Sequence, residues 1–87
     1  MASQGVLLVV DDEAEIREII AMNAAPLGLD VLEAGDGHQA IEILKEHHVD
    51  VVISDLMMPR VSGLTLLTML REERWAKPFI FVTAYPS

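Results

Sequence analysis

Asp55 closes an apolar run, and the short loop after it ends on a proline and a glycine, in the stretch Val49 to Gly63 (VDVVISDLMMPRVSG). Val49, Val51, Val52, Ile53 and Ser54 are apolar or small, and three of them are consecutive β-branched residues, as in a strand buried on both faces of a parallel sheet. Asp55 then stands at the carboxyl end of that strand, on the rim where open α/β sheets collect ligands. A lone aspartate in such a place often does no more than turn the chain. Here it has company: Asp11 and Asp12 follow a second apolar run, and Thr83 follows a third. Parallel strands bring these ends to one crevice, where crowded carboxylates repel one another unless a cation sits between them. Oxygen donors without cysteine or suitably spaced histidine suit Mg²⁺ or Mn²⁺, and Mg²⁺ commonly shares its shell with a phosphate. An aspartate beside such an ion can attack a phosphoryl group, and the Thr83 hydroxyl could donate to a phosphoryl oxygen.

The elements that must position these groups alternate between strand and helix patterns. Gly5 to Val10 (GVLLVV) reads as a buried first strand. Asp12 and Glu15 have capping-box spacing, and Ile16, Ile19, Ile20 and Leu27 continue a first helix from about Glu13 toward Pro26. Leu27-Gly28-Leu29 breaks it, and Asp30 to Ala34 is a less apolar strand, fit for the outside of a sheet. Asp36 and Gln39 repeat the capping spacing ahead of a second helix carrying Ala40, Ile41, Leu44 and His47 and ending near His48. Adjacent His47 and His48 point about 100° apart on a helix and do not make a metal pair. Ser62 caps a third helix from Leu64 to about Arg74, Trp75 packs at its end, and Phe79 to Val82 is a further buried-type strand. The order βαβαβαβ implies right-handed crossovers and a parallel sheet, an α/β fold in one domain over residues 1–87.

Composition narrows the function classes. Six basic against fourteen acidic residues give a net charge of −8, which disfavours direct contact with nucleic-acid phosphate and suits a cation site. No run of about 18 apolar residues suggests a membrane span. The start MASQG lacks the features of a signal peptide, and there is no cysteine, so a cytoplasmic location is expected.

Paired acids after the first strand, D-x-x-M-P-x-x-x-G from Asp55 to Gly63, and Thr-Ala after the fourth strand together resemble the receiver domain of bacterial two-component response regulators, the CheY-like superfamily. The resemblance implies a flavodoxin-like sheet with strand order 2-1-3-4-5. It also implies that Asp55 is the phosphoacceptor, charged by a sensor histidine kinase or phosphotransfer protein. Asp12 would be a direct Mg²⁺ ligand, Asp11 would act mostly through metal-bound water, and the backbone carbonyl of Met57 would be a third protein ligand. Thr83 matches the family's switch hydroxyl. Pro59 and Gly63 match the loop, where proline fixes φ and glycine admits φ above zero. The likeness runs through the whole chain but spans only about the first two-thirds of a receiver, so the expected unit is truncated after the fourth strand. The family lysine at the end of strand five has no counterpart. Lys77 belongs to the opposite rim, and Tyr85 does not inherit the strand-five aromatic's role.

Two other readings compete. An aspartate-nucleophile phosphatase wants a second acid two residues after the nucleophile, and Met57 stands there. A non-catalytic interaction module would use the acids only as helix caps. A sheet ending at Phe79 to Val82 also leaves an uncharged edge and a partly bare face, from which a homodimer is expected.

Overall fold

The computed structural model describes residues 4–58 and 61–82. Its elements follow in the order β1 (Gly5–Val10), α1 (Ala14–Ala24), a 3₁₀ turn (Ala25–Leu27), β2 (Leu29–Ala34), α2 (Gly37–Glu46), β3 (Val51–Asp55), α3 (Gly63–Glu72) and β4 (Phe79–Val82). All strand pairs are parallel, and the sheet order is β2-β1-β3-β4. The outer place expected for the second strand is thus observed.

Side-chain alternation divides the interior into two layers. Leu8, Val10, Ala34 and Val52 point to the side covered by α2 and α3, where Ala40, Leu66, Leu70 and Met58 complete the larger core. Leu7 and Val9 point to the other side and meet Ala24 and Ile20 of α1. Helix α1 sits over β1 and β2. On that same face Val51 and Ile53 of β3 are therefore only half-buried, and Ile80 of β4 is 49% exposed. This corrects the expectation of fully buried third and fourth strands. Their apolar content is real, but burial depends on what lies above them. No helix among the described residues is long and apolar enough to cross a membrane.

The helix ends show which local signals held. Asp36 caps α2 by accepting from the Gln39 N–H (2.8 Å), while the Gln39 side chain reaches back to the Gly35 N–H (2.6 Å). Ser62 caps α3 through the Thr65 N–H at 3.1 Å. The capping box expected at Asp12 does not form: α1 begins at Ala14 with Glu13 as its N-cap residue and no side-chain cap bond. Asp12 is drawn instead into the acid cluster described below. His47 lies just past α2, exposed, and so leaves the apolar stripe. Gly28, with φ of +78°, closes the turn after α1 in the left-handed region that glycine tolerates.

The end of α3 is a Schellman motif with an unusual occupant. The Trp75 N–H reaches Leu70 O (2.9 Å) and the Arg74 N–H reaches Arg71 O (3.0 Å), which places Arg74 at φ of +64° where glycine is the usual residue. Trp75 packs on the larger core, and the Arg71 guanidinium stands 5.9 Å from its ring and donates to its carbonyl oxygen.

Candidate functional site

β1 and β3 are neighbours, and their register pairs Val10 with Ser54. One residue further on, Asp11 comes level with Asp55 at the carboxyl rim. The crossovers from these two strands leave to opposite faces, opening a crevice between them. Ligand atoms of Asp11, Asp12 and Asp55 all lie within 4.8 Å of one another, with Asp11 buried, Asp12 exposed and Asp55 between. Three convergent carboxylates with one side open to water fit a hard divalent cation.

The buried acid is held on three sides. Asp11 gives its N–H to Ala34 O (3.1 Å), accepts the Glu13 N–H on Oδ1 (2.9 Å), and accepts Arg17 Nη1 on its carbonyl oxygen (2.7 Å). Burial pushes its carboxyl above the ordinary aspartate range; the Glu13 N–H opposes this, and the charges of Asp55, Asp12 and Glu13 add to the rise.

Asp55 is oriented by the loop that follows it. The Met57 N–H bonds Asp55 Oδ1 at 3.0 Å, and buried Ser54 donates its hydroxyl to the Asp55 carbonyl at 3.0 Å. The Gly63 N–H returns to Leu56 O (3.1 Å), and the Leu56 N–H reaches Val82 O (3.3 Å), tying the loop to α3 and β4. A Cβ on Gly63 would collide with the Asp55 carbonyl oxygen. The expected reason for this glycine is thereby corrected: among the described glycines only Gly28 has positive φ, and Gly63 is required for close backbone approach. Met58 of the same motif is a core residue, 8% exposed, so one half of the Met-Pro pair serves packing. Thr83, Pro59 and Tyr85 lie outside the described residues.

Arg17 and Glu33 do not emerge from motif reading. Arg17 Nε meets Glu33 Oε1 at 3.1 Å while its Nη1 holds the Asp11 carbonyl, so one guanidinium joins α1, β2 and the turn bearing the acids. A signal was present: Arg17 is the single Lys or Arg before Lys45, and Glu33 interrupts an apolar strand. At the opposite rim His48 Nε2 lies 2.7 Å from Asp50 Oδ1, and Asp50 Oδ2 accepts the Val6 N–H at 2.8 Å. Lys77 Nζ donates to Val49 O at 3.1 Å there, remote from the acids as expected.

A four-stranded parallel sheet in this order, with an acid cluster where β1 and β3 end, has the flavodoxin-like architecture. Residues 7–87 match the response regulator receiver domain family, and the chain belongs to it. A probable transcriptional regulator, ycf27 of Porphyridium aerugineum, is 42% identical over 90% of the chain, and the match covers 32% of that relative. The chain thus spans about a third of the length of the curated relatives it matches. The receiver domain of Francisella response regulator 1452 superposes with a TM-score of 0.88 at 32% identity, covering 97% of this chain and 69% of that one. Response regulator TrrA of Thermotoga maritima, solved in complex with Mg(2+)-BeF, gives 0.88 at 32% identity, with 95% and 72% covered.

Proposed function

We propose that Asp55 accepts a phosphoryl group from a phosphohistidine of a sensor histidine kinase or phosphotransfer protein, with Mg²⁺ as cofactor. The observation that carries this is the convergence of Asp11 and Asp12 on Asp55, whose carboxylate the Met57 N–H orients. Asp12, Asp55 and the Met57 carbonyl would hold the ion directly and Asp11 through water. The ion supplies neutralisation of negative charge between the carboxylates and the incoming phosphoryl group. That the similar TrrA was solved in complex with Mg(2+)-BeF supports Mg²⁺ as the cofactor. A carboxylate oxygen of Asp55 forms the new O–P bond as the donor's N–P bond breaks, and the electron pair leaves with the imidazole nitrogen. Thr83 is the proposed hydroxyl partner of the transferred group. Incubation with acetyl phosphate and Mg²⁺, followed by peptide mapping, should place one phosphoryl group on Asp55. Labelling that survives Asp55→Asn would refute the assignment.

A second reading concerns assembly. Ile80 and Phe81 are 49% and 38% exposed, and the outer edge of β4 pairs with no strand among the described residues, which supports self-association of the 87-residue chain through β4. Light scattering over a concentration series should show a homodimer; a monomer at every concentration would defeat this reading.

A further inference from the structure

Arg17 is the basic residue nearest in sequence to the paired acids, yet its long side chain is only 20% exposed. Ordering so long a side chain sacrifices much rotamer entropy, which its fixed contacts must offset. Both contacts bear on the acid turn. Nη1 donates to the Asp11 carbonyl (2.7 Å), which belongs to the peptide unit joining Asp11 to Asp12. Nε is anchored at 3.1 Å by Glu33, and Glu33 is paired in register with Val9 on the face that α1 covers. The other side of Asp11 is fixed by its N–H bond to Ala34 O. The acid turn is therefore clamped at successive peptide units, once by the β2 backbone and once by Arg17.

We infer that Arg17 is a positioning residue for the cation site: its bond to the Asp11 carbonyl fixes the peptide plane that aims Asp12 at Asp55. This rests on the Mg²⁺ reading above. The sign of the effect separates positioning from simple electrostatics. A nearby positive charge opposes cation binding, so removing it should tighten Mg²⁺ binding if charge alone mattered. Removing a clamp that aims a ligand should weaken it, as loss of outer-shell partners of metal ligands does.

The test is Mg²⁺ titration calorimetry at constant pH on the 87-residue chain, with urea unfolding of each variant in parallel. Arg17→Met, which keeps the aliphatic stem, should weaken Mg²⁺ affinity ~10-fold. Arg17→Lys, which keeps a donor and the charge, should restore most of it. If the Met variant does not fold, Arg17→Leu, which also lacks a donor, takes its place with the same expectation. Unchanged or tighter binding in the Met or Leu variant, or loss of stability with affinity intact, overturns the positioning role. A wild-type chain that takes up no Mg²⁺ overturns the metal reading itself, and this inference with it.

Discussion

Gly63 packs its α-carbon against the carbonyl oxygen of Asp55, leaving no room for a side chain between the start of α3 and the end of β3. The obstacle is backbone, so a substituent there cannot be relieved by a change of rotamer. Gly63→Ala should destabilise the fold by about 2 kcal/mol, read as a shift in urea midpoint, and should also weaken Mg²⁺ binding because the displaced strand end carries Asp55. A variant as stable as wild type would show that the loop can retreat freely.

Asp12 is the most exposed of the three clustered acids. Asp12→Ala should leave the urea midpoint nearly unchanged while lowering Mg²⁺ affinity by more than ~10-fold, since on the proposed assignment it removes a direct ligand, a greater loss than that of an outer-shell partner. Equal affinities in calorimetry would remove Asp12 from the ligand set.

The raised carboxyl of Asp11 has a defined consequence for pH. A group whose folded value lies above its unfolded 3.8 contributes stability that is fully present below 3.8 and lost as pH rises through the folded value. At neutral pH without metal, the ionised Asp11 therefore weakens the fold. Asp11→Asn, which can still accept the Glu13 N–H, should be more stable than wild type at pH 7 in EDTA, and the advantage should vanish as the pH falls toward 3.8. A constant difference across that range would disprove the linkage.

Asp50 should behave in the opposite sense. The Val6 N–H and then His48 hold its carboxyl below 3.8, so its contribution is present above 3.8 and lost as pH falls through the lower folded value. Asp50→Asn should be less stable than wild type at neutral pH, with the gap closing in acid. Urea midpoints at several pH values measure this directly, and a gap that widened in acid would contradict it.

Arg74 occupies a left-handed position that disfavours any residue with a Cβ. Arg74→Gly should stabilise the chain by ~0.5–1 kcal/mol, because relief of that strain exceeds the extra backbone entropy glycine loses on folding. Thermal or urea unfolding showing a loss instead would mean that the Arg74 side chain makes a compensating contact.

The parallel strands and the meeting of Asp11, Asp12 and Asp55 were legible because apolar runs ending on acids specify both the strands and the rim on which their ends lie, whereas the strand order came only from the resemblance to receiver domains. What escaped was set by contacts between elements. The Arg17 clamp depends on α1 lying over β2, which no spacing within either segment encodes. The exposure of Ile80 depends on how far α1 extends across the sheet, and an apolar tetrapeptide carries no record of that. At Asp12 a capping signal competed with three-body placement at the rim, and placement prevailed. Gly63 was recognised from its motif but for the wrong reason, since close approach and positive φ both select glycine.

The pairing of β1 with β3 joins residues 44 apart in sequence, the same span that separates Val6 from Asp50 at one end and Asp11 from Asp55 at the other. Neither half of the carboxylate set holds all three acids, so a cation bound as proposed finds its full complement of donors only after this long loop has closed. In kinetic terms, Mg²⁺ should act mainly as a brake on unfolding, with little effect on the rate at which the chain first collapses.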